Sequence, residues 1–411
     1  MKFNMNVFFL LLSLILFSCA EDHVSNSEIE IIPLATCVNK GEYQVEKLSD
    51  YAKSLHYIPL ETTDQTLLGG VYEKNSYFGN GFFYLRSNNE IYKFSDSGKF
   101  ISKIGTIGNG PGEYVYLKDV DIDFLNNKIY LKNHDVELLE YTADGGFLRS
   151  IPIKQNLLGK GYFAWLFKFL SPNLFFFELT SPVDNQYIAM FSDDSFDQMS
   201  FLKARNPIIG IDGVRTVMTD SEIYKSPTDF YYYKTRTDTI YRINIDSLDL
   251  EPKYVFDYGE YKMSIDDNIL LAQKWKYIKL LNMKDSGRHI FMYFDFNNYA
   301  PEPFTIKVNY WGEEKEVTMT MVCGIYDKEI KAFKLLKQPI SKQLGLLNDL
   351  DGGVTFWPGF ISSDGKSMFM VCPAETFIAT YSGKENLSDE VKNILSQIDE
   401  ESNPVIIRAD F

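Results

Sequence analysis

Along most of the chain, apolar and polar positions alternate in short runs that break at Asp, Asn, Ser or Gly. That is the mark of short antiparallel strands joined by tight turns. One unit is repeated openly. Ile91-Tyr92-Lys93-Phe94-Ser95-Asp96-Ser97-Gly98-Lys99-Phe100 returns as Leu138-Leu139-Glu140-Tyr141-Thr142-Ala143-Asp144-Gly145-Gly146-Phe147, and Ile104 returns as Ile151, at a constant offset of 47. Gly98 and Gly145 stand where a hairpin needs a positive φ, which glycine reaches without a steric penalty. A second echo precedes each copy, in Gly81-Phe82-Phe83-Tyr84-Leu85 and Asn127-Lys128-Ile129-Tyr130-Leu131. Each unit reads as four short strands, the size of one propeller blade.

Weaker copies follow. Thr237 to Ile243, Ile290 to Phe296, Phe304 to Tyr310 and Glu316 to Tyr326 alternate, and Phe356 to Met370 reads as a hairpin about Asp364-Gly365. The least regular unit runs from Gly161 to Arg205. Two stretches carry helical spacing. Ile265 to Met283 places Ile269, Leu270, Trp275, Ile278 and Leu281 on one face after Ser264 as N-cap. Leu387 to Ile398 follows the capping Ser388, with Asp389 and Glu390 in its first turn. The fold expected is all-β: a six-bladed β-propeller of four-stranded antiparallel blades over 43–411, with short helical insertions. Val405-Ile406-Ile407 should enter the same sheet as Tyr57-Ile58-Pro59-Leu60 and close the ring.

The amino terminus has another pattern. Lys2 precedes an almost unbroken apolar run, Val7 to Phe17, too short to span a bilayer as a helix. It ends in Leu16-Phe17-Ser18-Cys19, which resembles the bacterial lipobox, with Phe17 bulkier than usual at its place. The resemblance implies that 1–18 is a lipoprotein signal peptide and that Cys19 is the lipidation site, its acyl chains holding the protein on a membrane. Glu21 to Glu42 is polar and without sustained periodicity, and reads as a flexible tether over 19–42. Glu21-Asp22 resembles a surface-export signal, so the location implied is the cell envelope, on the outer membrane.

The body resembles the six-bladed propeller lipoproteins of the Bacteroides type, which are similar to NHL-repeat propellers. The matching residues are Ile58-Pro59-Leu60-Glu61-Thr62, Gly108-Asn109-Gly110-Pro111-Gly112-Glu113-Tyr114, Asp238-Thr239-Ile240-Tyr241, Asp351-Gly352-Gly353 with Phe356-Trp357-Pro358, and Asn403-Pro404-Val405-Ile406. The resemblance implies a fold and a location, and it carries over no catalytic residue.

Acidic residues number 56 against 41 basic ones, with no basic stripe, so a nucleic acid partner is not expected. Beyond Cys19 the cysteines are Cys37, Cys323 and Cys372. The last two lie in strand-like surroundings, where burial as small hydrophobes is the favoured account and a disulfide the alternative. No Cys-x-x-Cys is present for a structural zinc.

The glycine run Gly105 to Gly112 lacks the Lys-Ser/Thr of a phosphate loop and contains Pro111, so a tight connection braced by Glu113 accounts for it better. Asp119-Val120-Asp121-Ile122-Asp123 has the alternate carboxylates of a calcium loop. It has Phe124 where the turn needs glycine and Tyr130 where the bidentate Glu belongs. The preferred reading is a strand with an acidic outward face ending at Asn126-Asn127; calcium in the channel is the alternative. His23, His56, His134 and His289 show no ligand spacing, and no nucleophile elbow exists. Aromatics are in excess, among them Tyr231-Tyr232-Tyr233, Trp165, Trp275, Trp311 and Trp357. Most belong in cores between blades, and a few at a channel mouth would form a platform for sugar rings or peptides.

The expectation is therefore an anchored lipoprotein whose propeller binds a ligand: a glycan, a peptide or a partner protein. No cofactor and no catalytic residue are evident. Neutral sugars or peptides suit the acidic body better than polyanions. A propeller hydrolase or lyase with a channel-bound divalent cation, and a scaffold in an envelope complex, are the alternatives.

Overall fold

The computed structural model describes residues 28–411 except 135–136, 154–162, 182–185, 203–220, 235–236, 264–275 and 311–312. The expected architecture is present: six four-stranded antiparallel blades around a central channel. Blade 1 comprises Tyr77–Gly79, Phe82–Ser87, Glu90–Ser95 and Phe100–Ile104. Blade 2 comprises Leu117–Asp123, Lys128–Asn133, Glu137–Thr142 and Phe147–Pro152. Blade 3 comprises Phe163–Ser171, Leu174–Ser181, Gln186–Ser192 and Met199–Phe201. Blade 4 comprises Ser221–Lys225, Phe230–Lys234, Thr239–Asn244 and Asp249–Phe256. Blade 5 comprises Lys279–Asp285, His289–Asp295, Met321–Asp327 and Ala332–Leu336. It also carries an inserted hairpin, Phe304–Tyr310 with Glu313–Met319.

Blade 6 is built from both ends of the chain. Phe360–Ile361, Ser367–Cys372 and Val405–Asp410 are completed on the outside by Ser54–Pro59, in register from Ser54↔Asp410 to Pro59↔Val405. The Asn403 side chain fastens this seam, accepting from Leu68 N–H at 2.7 Å and donating to the Glu61 and Thr66 carbonyls at 2.8 Å each. Two of the motifs that suggested the fold thus meet in one joint. Gly98 belongs to it as well: its φ is +81°, and a β-carbon there would fall 2.2 Å from the Pro59 carbonyl oxygen.

A strand sends successive side chains to opposite faces, and both faces of every blade are covered. Phe83 and Leu85 therefore pack toward blade 6 while Tyr84 packs toward blade 2. Phe175 and Phe177 face blade 2, and Phe176 faces blade 4. Six separate apolar clusters result among the described residues, one at each junction between neighbouring blades. This is why the strands read as aromatic runs, and it places Tyr231, Tyr232, Tyr233 and Trp357 in the core.

Four expectations are corrected. The tether does not extend to Glu42: Glu30–Ile32 adds in parallel to the outer strand of blade 4, Leu34–Lys40 is a helix, and Tyr43–Gln44 adds in parallel to the outer strand of blade 5. The buried Ile32 and Leu34 explain why a polar-looking segment folds back. The helix expected up to Met283 is overridden from Lys279 onward, where the chain is the inner strand of blade 5; 264–275 lie outside the described residues. A helix not foreseen, Ala374–Tyr381, precedes the expected one, which spans Asp389–Leu395 with Ser388 capping Val391 N–H at 3.2 Å. Last, the Asp119–Asp123 strand turns its carboxylates inward, as described below. Cys323 and Cys372 are buried as free thiols, and burial pushes the Cys372 thiol up to about 12.

Candidate functional site

The first strand of each blade runs beside the channel, and residues of these strands line it. Blades 2 to 5 contribute Asp121, Lys168, Glu222 and Lys284 in turn, and the short turn before the inner strand of blade 1 contributes Glu73 and Lys74. They enclose a cavity of about 100 Å³. At the end formed by the short turns, Phe124 packs over Gly79 and Pro227 over Gly365.

On the blade 2 and 3 side the charges are tied. Lys168 Nζ lies 2.9 Å from Asp121 and donates to the Tyr77 hydroxyl at 3.1 Å. Asp121 also accepts from Phe169 N–H at 2.8 Å, and Asp119 accepts from Asn75 at 2.8 Å and from Phe167 N–H at 3.5 Å. The carboxylates of one blade thereby cap the free edge of the next strand, where backbone donors would otherwise be bare. Asp123 accepts from Leu125 N–H and Asn126 N–H at 3.1 Å each and closes its own turn. This is the work of the alternating aspartates: they brace strand and turn on the channel side. Among the described residues no group of three or more His, Cys, Asp or Glu is placed to hold a metal ion.

On the blade 4 and 5 side the charges are loose. Glu222 Oε1 stands 3.9 Å from Lys74 Nζ and 4.0 Å from Lys284 Nζ, beyond hydrogen-bond reach of both. Its other oxygen accepts from the Tyr233 hydroxyl at 3.0 Å. Burial lowers the Lys284 ammonium below the ordinary lysine value, with Glu222 only partly offsetting it. Burial raises the Glu73 carboxyl, which accepts from Val371 N–H at 2.9 Å.

The channel mouth on the side where chain passes between blades is shaped by bulges. Pairing slips between Leu117 and Asp119 in blade 2, between Ala164 and Leu166 in blade 3, and between Leu280 and Asn282 in blade 5. The extra residues are Lys118, Trp165 and Leu281. A bulge re-aims the side chain it carries, and here the two from neighbouring blades meet, with Lys118 Nζ 4.1 Å from the Trp165 ring centre. Beside them the Arg86 guanidinium donates to the Lys118 carbonyl at 3.1 Å and lies 5.4 Å from the ring of the exposed Tyr72. Tyr72, Arg86, Lys118 and Trp165 therefore form one contiguous aromatic and cationic rim. Trp165 was among the aromatics singled out from the sequence; Lys118 and Lys284 were not, because bulge position and channel facing depend on pairing.

The remaining candidates lie elsewhere. Glu113 braces the glycine connection, accepting from Gly110 N–H at 2.8 Å. His56 Nε2 is 3.4 Å from both Ser54 Oγ and Asp410. Both neighbours share one ring nitrogen, so they cannot work as a nucleophile–base–carboxylate relay. His289 lies 3.3 Å from Asp327 beside Arg288, lining an open cleft of about 600 Å³ with Tyr51, Lys366, Arg408 and Phe411. The His134 carbonyl accepts from Lys132 at 2.6 Å. Cys19, His23, Trp275 and Trp311 lie outside the described residues.

A family model described as a domain of unknown function, DUF4934, matches residues 29–410. The chain belongs to this family. Among solved structures, the DUF4934 chain is similar to a Bacteroides fragilis protein described as exported, at 17% identity and TM-score 0.62, over 90% of this chain and 99% of the other. It is also similar to a DUF4221 family member from Bacteroides vulgatus, at 11% identity and TM-score 0.50, over 87% and 96% of the two chains. At these identities the likeness shows the fold. A search of curated proteins finds no match. No helix among the described residues of the DUF4934 chain is long and apolar enough to cross a membrane.

Proposed function

We propose that the protein is a non-catalytic binding module of the cell envelope, anchored through lipid on Cys19, and that it holds a glycan or peptide at the bulged mouth of its channel. The observation that carries this reading is the pairing of Lys118 with Trp165. Two strands give up a ladder position at the same level, and the residues released meet at the mouth. An indole face offers stacking area to a sugar or peptide ring at little entropic cost. The channel aspartates are engaged as caps, which favours binding over metal-assisted hydrolysis.

The test is a glycan and peptide binding screen on the full chain, followed by Trp165→Ala. Affinity for any ligand found should fall roughly tenfold or more, as for a central aromatic contact. Unchanged affinity would remove the mouth from consideration. The anchor is tested separately: Cys19→Ala should release the protein from the membrane fraction, and retention there would refute lipidation. Protease shaving of intact cells then reports whether the propeller faces outward.

A further inference from the structure

The strand outside blade 4 has its polarity reversed. Glu30–Ile32 is the edge of that sheet, and among the described residues no strand pairs beyond it. An edge strand facing water is ordinarily guarded by charge on its outer side. Here the charge turns inward. Glu30, its side chain 12% exposed, lies 2.8 Å from Lys253 Nζ and accepts from the Tyr326 hydroxyl of blade 5 at 2.7 Å. Successive side chains alternate across a strand, so Ile29 and Ile31 project from the other face, 48% and 58% exposed. Ile330, 66% exposed, stands on the turn between the last two strands of blade 5. That turn is tied to the same segment, with Lys331 Nζ 2.7 Å from Glu28.

Two further facts bear on what covers these isoleucines. The first is reach. Glu28 lies nine positions after Cys19, a span of at most about 30 Å even when fully extended. Acyl chains on Cys19 would therefore hold a bilayer surface close to this edge. The second is charge. The chain as a whole is strongly acidic, with 56 acidic residues against 41 basic ones. The carboxylates beside the isoleucines are nevertheless neutralised: Glu28 by Lys331, Glu30 by Lys253, and Glu329 by Arg288 at 3.1 Å. Aliphatic side chains pointing outward beside paired charges suit the boundary layer of a bilayer, where apolar groups enter and polar ones stay wet.

We infer that the propeller rests on the membrane by the outer edge of blades 4 and 5, with Ile29, Ile31 and Ile330 in the interfacial layer. This deepens the anchored reading proposed above and rests on it. The occupant is a lipid surface because the chain itself brings one within reach. A tether this short keeps the bilayer at high effective concentration, so a small apolar contact suffices to orient the ring. A second copy of the chain would have to find the same edge by diffusion. The orientation has a consequence for binding. Arg86 belongs to blade 1 and Lys118 to blade 2, which in a ring of six stand across from blades 4 and 5. The aromatic and cationic rim is thereby turned away from the membrane.

The experiment uses the full acylated chain on phosphatidylcholine vesicles, with and without doxyl-labelled lipid as quencher. In a Cys37→Ser background the other described thiols, Cys323 and Cys372, are buried. A thiol-reactive fluorophore is then placed through Ile31→Cys, Ile330→Cys or, ahead of the inner strand of blade 2, the exposed Val115→Cys. Doxyl lipid should quench the first two labels several-fold more than the third. Ile330 stands in an exposed turn, so its variant decides alone should Ile31→Cys fail to fold. Absent quenching, equal quenching at all positions, or stronger quenching at Val115→Cys, on chains that float with the vesicles, overturns this inference and leaves lipidation standing. A parent chain that does not float with the vesicles overturns both. The Cys19→Ala chain should sediment as a monomer. A dimer dispersed by Ile31→Ser would give this edge to a second copy and overturn the membrane contact.

Discussion

Lys168 of blade 3 and Lys284 of blade 5 enter the same channel with side chains 10% and 14% exposed, yet their surroundings differ in kind. Lys168 has a carboxylate in contact and a tyrosine hydroxyl beside it, while Lys284 has one carboxylate at a distance too long for a hydrogen bond. Desolvation pushes both ammonium groups down. In Lys168 it is outweighed by Asp121, Tyr77 and Asp119, so the group ends above the ordinary lysine value; in Lys284 it prevails. One side of the channel has spent its charges on holding blades together. On the other, Lys284 meets Glu222 and Glu73 only at longer range, with no contact pair of its own.

The severest way to break this contrast is to open the ring that fixes both sides. Removing Asn403 to Phe411 deletes the strand between Ser367–Cys372 and Ser54–Pro59 and bares two sheet edges. Cooperative melting should be lost, with aggregation on heating; an unchanged melting curve would show that the seam does not close the fold. Next in size is Lys168→Met, which strands Asp121 in the interior and should cost about 3–5 kcal/mol in denaturant titration. Lys284→Met should stay within about 1 kcal/mol of the parent or exceed it, because no contact pair is broken. Equal losses for the two variants would erase the distinction.

The smallest effect is in pH. The unfolded chain holds the Lys284 proton more tightly than the folded one, so this residue makes stability rise with pH between its lowered folded value and 10.5. Lys168 has the opposite sign: its contribution is present below 10.5 and is lost as pH rises toward its raised folded value. Stability measured from pH 8 upward should therefore rise less steeply in Lys284→Met than in the parent. Identical slopes would mean that Lys284 is not desolvated.

The fold was legible in the sequence because its signals are local. The hairpin glycines, the alternation and the matching motifs at Ile58 and Asn403 all survive without tertiary knowledge. The site was only partly legible. Asp119 to Asp123 advertised carboxylates, but their direction depends on which strand lies innermost, and that is a property of the ring. The aromatic excess pointed to Trp165 without separating it from Tyr231 to Tyr233, since burial between blades and exposure at a bulge look alike in composition. Glu30 to Glu42 was misread because its few apolar residues bury against the outer strand of blade 4 and its neighbours, more than two hundred positions away.

The shared blade also governs when the protein can finish folding. Ser54 emerges early and finds its partner Asp410 only 356 residues later, so the first strand must wait for nearly the whole chain. Closing so long a loop is slow because its entropy is lost before the contacts repay it. Blades 1 to 5 can form in order as the chain appears, while Ser54–Pro59 stays unpaired until Val405–Asp410 arrives. The ring therefore locks only once Val405–Asp410 is in place.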